Sequence, residues 1–306
     1  MPYSPAVLWI TFILIVVFLL YFDLCVLHPK TRIIHMREAL TWSILWILIA
    51  LLFNLGYAFV AGAHNGLKFF TGYVIERSLS IDNIFVFLVI LRYFKVPTLY
   101  QQNVIFWGIA GAIVIRGFFI WLGISLIEKF HWVIYILGMI LIISGFNLFF
   151  EKDKELHPEK NPVLKLFRLF FPITHDYEGD HYFVTKQHRI WATPLFVTLL
   201  IIATTDILFA VDSIPAILAI TTDPFIVYSS NVFALLGLRA MYFALAASMG
   251  LFHYLHYGLA LILVFIGGKM LLDQWIEIPL GLTLGFVAVT LSITILFSVF
   301  SARPKK

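Results

Sequence analysis

One cysteine, Cys25, occurs in a chain of 306 residues. That excludes a disulfide framework within the chain and any CxxC redox or metal motif, and leaves Cys25 as a packing residue. Charge is scarce too: Asp, Glu, Lys and Arg make up 12% of the residues. The net charge of +4 comes from lysines and arginines scattered between apolar runs, so no nucleic-acid partner is expected. Ser-His-Asp, HExxH and CxxC patterns are missing, and we therefore expect no enzyme. Nothing in the sequence marks a flavin, haem or other prosthetic group.

What the chain has is oil. Hydrophobic residues form 61% of it and the mean hydropathy is +0.97, far outside the composition of soluble domains. Runs of roughly 20 residues, enough to cross about 30 Å of hydrocarbon, fall near 6–27, 40–61, 70–92, 104–126, 132–150, 194–220, 231–250, 254–273 and 280–300. The expected fold is all-α, a polytopic helical membrane protein of about nine spans forming one integral membrane domain over 1–306. The first run has no basic n-region or small-residue cleavage site, so it is expected to be retained. Basic residues in the connections gather on one side, from Lys30 and Arg32 through Arg92, the stretch from Lys152 to Arg189 and Lys305; Lys68 and Lys129 alone fall on the other. The N-terminus is thus expected outside and the C-terminus in the cytoplasm.

The one long hydrophilic stretch is 151–192. Within it, "PVLKLFRLFFP" sets Val163, Leu166, Phe167 and Phe170 on one helical stripe with Lys165 and Arg168 beside it. This predicts a short helix on the inner headgroups. The following "THDYEGDHYFVTKQHR" is either a solvated loop or a metal-sensing site. His253 and His256 are read as interfacial anchors.

"ERSLSIDNIFVFLVI" and "DILFAVDSIPAILAI" align Glu76 with Asp206 and Asp82 with Asp212. Asn103 then matches Asn231, "GIAGAIVIRG" parallels "LLGLRA", and "ISGFNLF" parallels "IGGKMLL". The pattern predicts a repeat, about 70–150 and about 193–273. Each unit has an odd number of crossings, so the copies are expected to be inverted, as in carriers that place a site near the midplane.

Four buried acids would cost on the order of 10 kcal/mol if left unpaired. Six residues along a helix turn the two acids of each pair about 120° apart, so one straight helix does not aim both at one ion. Pro215 is expected to bend or break the second acidic helix beside Asp212, freeing the Val211 carbonyl. Asn83 and Ser213 supply further oxygens near Glu76 and Asp206. Carboxylates, amides and hydroxyls without thiolates suit Mn²⁺, Mg²⁺ or Ca²⁺. Two other readings stay open: the acids pair with Arg77, Arg116, Arg239 and Lys269 as structural bridges, or they relay protons without metal. Asp23 lies at the inner end of the first span, facing either the interface or an inner vestibule.

The segments "FDLCVLHPK", "FFTGYVIERSLSIDNIFVF", "WATPLFVTLL", "TDILFAVDSIPAILAITTDPFIVYSSNVFALLGLRAMYF" and "FIGGKMLL" resemble the TerC family of bacterial integral membrane proteins, including its Alx-like members. The resemblance runs from about Asp23 to Leu272. It implies an inner-membrane protein, relatives in tellurite-resistance operons, and Alx-like members linked to manganese export and alkaline response. It carries the family's acids onto Glu76, Asp82, Asp206, Asp212 and, less directly, Asp23. The chain departs from that pattern at Ala203, where a Glu is common. The expected function is Mn²⁺ export, with Glu76, Asp82, Asp206, Asp212, Asn83 and Ser213 as metal ligands. Arg116 and Arg239 are expected to fill the site when it is empty, with Lys269 accessory. The alternative is a tellurite-resistance or redox-stress protein that acts through partners recruited by the 151–192 loop.

Overall fold

In a computed structural model of the chain, the described residues are 4–24, 36–150, 161–186, 189–247, 255–272, 275–276 and 278–301. Cys25, His188 and His253 lie outside them, as do Lys30, Arg32, Lys152, Lys154, Lys160, Arg303, Lys305 and Lys306. The helices are α1 (Pro5–Phe22), α2 (Met36–Ala61), α3 (Ala63–Tyr93), α4 (Thr98–Lys129), α5 (Val133–Phe150), α6 (Pro162–Phe170), α7 (Pro194–Leu218), α8 (Pro224–Leu236), α9 (Leu238–Ala247), α10 (Leu255–Leu272) and α11 (Leu280–Ser301). Between α6 and α7, the strands β1 (Phe183–Lys186) and β2 (Arg189–Ala192) form an antiparallel hairpin with Phe183 opposite Ala192 and Thr185 opposite Ile190. This hairpin was not expected from the sequence.

Proline opens four of these helices: Pro5, Pro162, Pro194 and Pro224 all sit in the first turn, where the missing N–H would be unsatisfied anyway. At α8 the cap is complete, with Asp223 Oδ1 accepting from the Phe225 and Ile226 amides at 2.9 and 3.2 Å. The crossing expected at 231–250 therefore starts seven residues earlier, at Pro224.

Eight helical stretches are long and apolar enough to cross a membrane, with α8 and α9 counted together. The 31-residue α3 is not one of them, although its length suffices. It carries Lys68, Glu76, Arg77, Asp82 and Arg92. Burial runs opposite to a soluble protein. Of the most apolar stretch of α1, α2, α5 and α11, 17% is buried, against 89% for α8 with α9; the oiliest helices face outward and the one with Ser229, Ser230 and Asn231 lies at the centre. Around it α3 packs on α8, α4 on α7 and α5 on α10, and α3 also meets α7. The α5–α10 pair is tight because a Cβ on Gly267 would lie 2.6 Å from the Gly138 carbonyl oxygen; glycine lets the two backbones meet.

One helix prediction needs correction. Pro215 does not break α7, which runs without interruption to Leu218. Pro215 takes one N–H from the Val211 carbonyl, but with α7 ending three residues later at Leu218 the loss does not divide the helix. The interruption falls at Gly237, between α8 and α9. There Arg77 Nη1 donates to the Ala234 carbonyl at 2.8 Å and Nη2 to the Gly237 carbonyl at 3.4 Å. Arg77 thus serves a loosened backbone and not a carboxylate.

Candidate functional site

Arg116 of α4 is fully buried and lies between the two acidic helices. Its Nε and Nη2 donate to Asp206 Oδ2 and Oδ1 at 3.2 and 3.1 Å, a two-pronged pair. Nη1 donates to Glu76 Oε1 and, at 3.2 Å, to Ser213 Oγ. With its carboxamide turned so that oxygen faces the guanidinium, Asn83 accepts from Nη2 at 3.2 Å and donates to the Leu79 carbonyl at 3.2 Å. All five N–H groups of the arginine are then used. Ser80 Oγ donates to Glu76 Oε1 at 3.3 Å, while Glu76 Oε2 is buried without a hydrogen-bond partner. Two carboxylates around one guanidinium leave an excess acceptor in the middle of the bundle.

The other two acids face elsewhere. Asp82 and Asp212 line a cavity of about 170 Å³ together with Asn83, Ser213, Ser144 and Asn147. Ser144 Oγ of α5 donates to Asp212 Oδ1 at 2.5 Å. Leu79, Leu148, Phe209 and Leu263 close the apolar part of the wall. Asn83 and Ser213 belong to both places, touching Arg116 on one side and the cavity on the other.

The four acids therefore do not gather around one point, as the sequence reading had expected. Among the described residues, no three of His, Cys, Asp and Glu stand close enough to hold a metal. The reason is the helical rotation noted above: α7 stays helical, so its acids remain on different sides, and Arg116 occupies the space between Glu76 and Asp206. Nor do the described residues of 174–189, where a metal sensor had been considered, bring three such side chains together.

Asp23 is buried, 5% exposed, and accepts from Arg239 Nη1 at 3.0 Å; it does not line the cavity that holds Asp82 and Asp212. Arg239 Nη2 donates to Gln102 Oε1 at 3.3 Å and its guanidinium lies 5.8 Å from the Phe106 ring centre. The expectation that Arg239 joins Arg116 at the central acids is overturned, since α1 supplies it with a carboxylate of its own. Lys269 donates to Thr283 Oγ1 at 3.3 Å. Ser144 and Asn147 were missed as site residues; the signal was their i, i+3 spacing inside the oily run of α5.

A helical bundle with carboxylates and a guanidinium sealed among crossing helices is a polytopic integral membrane protein. The chain belongs to the TerC family: the model of the integral membrane protein TerC family matches residues 61–306. Relatives include an uncharacterized membrane protein of Myxococcus xanthus, 45% identical over 98% of this chain and 94% of its own. Two proteins named Alx, described as proposed membrane-bound redox modulators, are similar as well. That of Salmonella typhi is 42% identical over 95% of this chain and 93% of its own, and that of Escherichia coli (strain K12) 40% over 95% and 94%. No solved structure matches the chain.

Proposed function

We propose that this chain is a carrier and not an enzyme, exporting a hard divalent cation, Mn²⁺ first among candidates, across the bacterial inner membrane. The cavity between α3, α5 and α7 carries the proposal. It collects two carboxylates, two carboxamides and two hydroxyls from Asp82, Asp212, Asn83, Asn147, Ser144 and Ser213, an all-oxygen set suited to Mn²⁺, Mg²⁺ or Ca²⁺. Glu76 and Asp206 are held by Arg116 in this arrangement. They join the ion only if the guanidinium withdraws, which makes Arg116 a counter-ion for the empty state.

The helix pairing supports an inverted repeat. Exchanging α3, α4 and α5 with α7, α8–α9 and α10 swaps the α3–α8 contact with the α7–α4 contact, and leaves the α3–α7 and α5–α10 pairs unchanged. That is the pairing a two-fold axis in the membrane plane would produce. The distribution of basic residues supports an outside N-terminus and a cytoplasmic C-terminus.

The test is Mn²⁺ efflux from proteoliposomes, and Mn²⁺ accumulation in cells, with Asp82→Asn and Asp212→Asn. Loss of a direct ligand is expected to lower flux by more than the roughly 10–100-fold typical of outer-shell partners. Unchanged export by both variants removes the basis of the proposal. The description of the Alx relatives favours a second reading, in which the chain adjusts redox balance through partners. An altered cellular thiol redox state in both variants, with Mn²⁺ flux intact, would select it.

A further inference from the structure

The segment between α5 and α7 carries an exposed apolar surface that the proposed transport does not use. On α6, Leu166, Leu169 and Phe170 are 57%, 79% and 73% exposed, and Ile190 of the hairpin is 56% exposed. The surface is continuous: Phe171 contacts Phe183, and Phe183, which shares a hairpin face with Ile190, contacts Phe196 at 4.4 Å between ring centres. Lys165, Arg168 and Arg189 are exposed beside it.

The placement of α6 says what covers this surface. Asn161 Oδ1 caps α6 by accepting from the Val163 and Leu164 amides at 2.9 and 3.3 Å, and its Nδ2 donates to Thr204 Oγ1 of α7 at 2.8 Å. Phe167 packs on Phe196 at 5.1 Å. The helix therefore runs antiparallel along α7 from Thr204 back to Phe196, about 12 Å at 1.5 Å per residue. The sequence alone set this helix on the inner headgroups; the structure adds that it packs along α7. Thr204 lies ten residues into the apolar run of α7, so the start of α6 sits among acyl chains and its cations stand toward the phosphates. Tyr177, from the same segment, donates its hydroxyl to the Phe94 carbonyl at the end of α3 at 2.6 Å. The segment is thus tied to both acid-bearing helices, and at Thr204 it is two residues from Asp206.

We propose that α6 and the β1–β2 hairpin form a docking surface for anionic lipid headgroups, coupled through the Asn161–Thr204 bond to the acidic stretch of α7. Each basic residue near an anionic surface favours binding about fivefold, so Lys165 and Arg168 together favour it about 25-fold.

The coupling half of this proposal rests on the carrier reading; the docking half does not. The experiment uses full-length protein in vesicles of phosphatidylcholine with or without phosphatidylglycerol. It carries a bimane probe on Leu169→Cys in a Cys25→Ser background. Brominated phosphatidylglycerol should quench the probe more strongly than brominated phosphatidylcholine at equal mole fraction, and Lys165→Gln with Arg168→Gln should abolish the difference. Equal quenching by both lipids, or a probe shielded from lipid by a second protein, overturns docking. Mn²⁺ flux should respond to phosphatidylglycerol in the wild type and lose that response in Thr204→Val, which keeps the α6 cap. A full lipid response in Thr204→Val overturns the coupling. Absence of flux in every lipid counts against the carrier reading instead and leaves the quenching result standing.

Discussion

Arg116 uses every N–H it has, and this makes it irreplaceable by lysine, whose point charge cannot fork toward Asp206 while reaching Glu76 and Ser213. Arg116→Met should destabilise the protein by about 3–5 kcal/mol, since it strands two buried carboxylates. The triple variant Arg116→Met, Glu76→Gln, Asp206→Asn should regain most of that loss. Thermal unfolding in detergent, followed by near-ultraviolet circular dichroism, checks both. At this scale the acids were legible because a carboxylate is conspicuous in an oily run. Their partners were not. Four bases were available for four acids, and spacing along one helix does not say which neighbour faces it. Ser144 and Asn147 stayed hidden because a lone hydroxyl or amide in a span ordinarily joins two helices.

Helix boundaries turn on small features. A Cβ on Gly237 would lie 2.6 Å from Arg77 Nη1, so Gly237→Ala should push the guanidinium off the Ala234 carbonyl and cost about 1–3 kcal/mol. The cost should shrink in the Arg77→Met background, a non-additivity that thermal melts of the four proteins would reveal. Gly267→Ala should be worse tolerated, because its Cβ would meet a backbone carbonyl of α5 that cannot swing away; loss of monodisperse protein on size-exclusion chromatography is the expected sign. The Asp223-Pro224 start of α8 was readable as a cap followed by proline, yet hydropathy alone set the expected boundary too late. The β1–β2 hairpin lacked any Asn-Gly or Asp-Gly turn that would have announced it. The Gly237 interruption was invisible for another reason: it depends on Arg77 arriving from a different helix.

Across the whole molecule, the helical class and a bundle of many crossings were open to sequence reasoning because hydrocarbon thickness fixes helix length; about nine spans were expected, and eight among the described residues are long and apolar enough. Even α3, too charged to count as apolar, has the length for a span. Sidedness is the prediction at this scale. A green fluorescent protein joined to the C-terminus should fluoresce, and a tag at the N-terminus should be reached by an impermeant label in intact cells; the reverse pattern would overturn the proposed orientation. The arrangement of layers was not legible, since which oily helix faces lipid and which faces α8 depends on packing that no single run encodes.

The Asp23–Arg239 bond joins the end of α1 to the centre of the bundle, whereas the family model matches only residues 61–306. A minimal version trimmed to that match would therefore carry in α9 a buried guanidinium that keeps Gln102 but has lost its carboxylate, and should fail to accumulate. Supplying residues 1–60, which carry α1 and nearly all of α2, as a separately expressed fragment should rescue it by complementation, and the same fragment bearing Asp23→Asn should not.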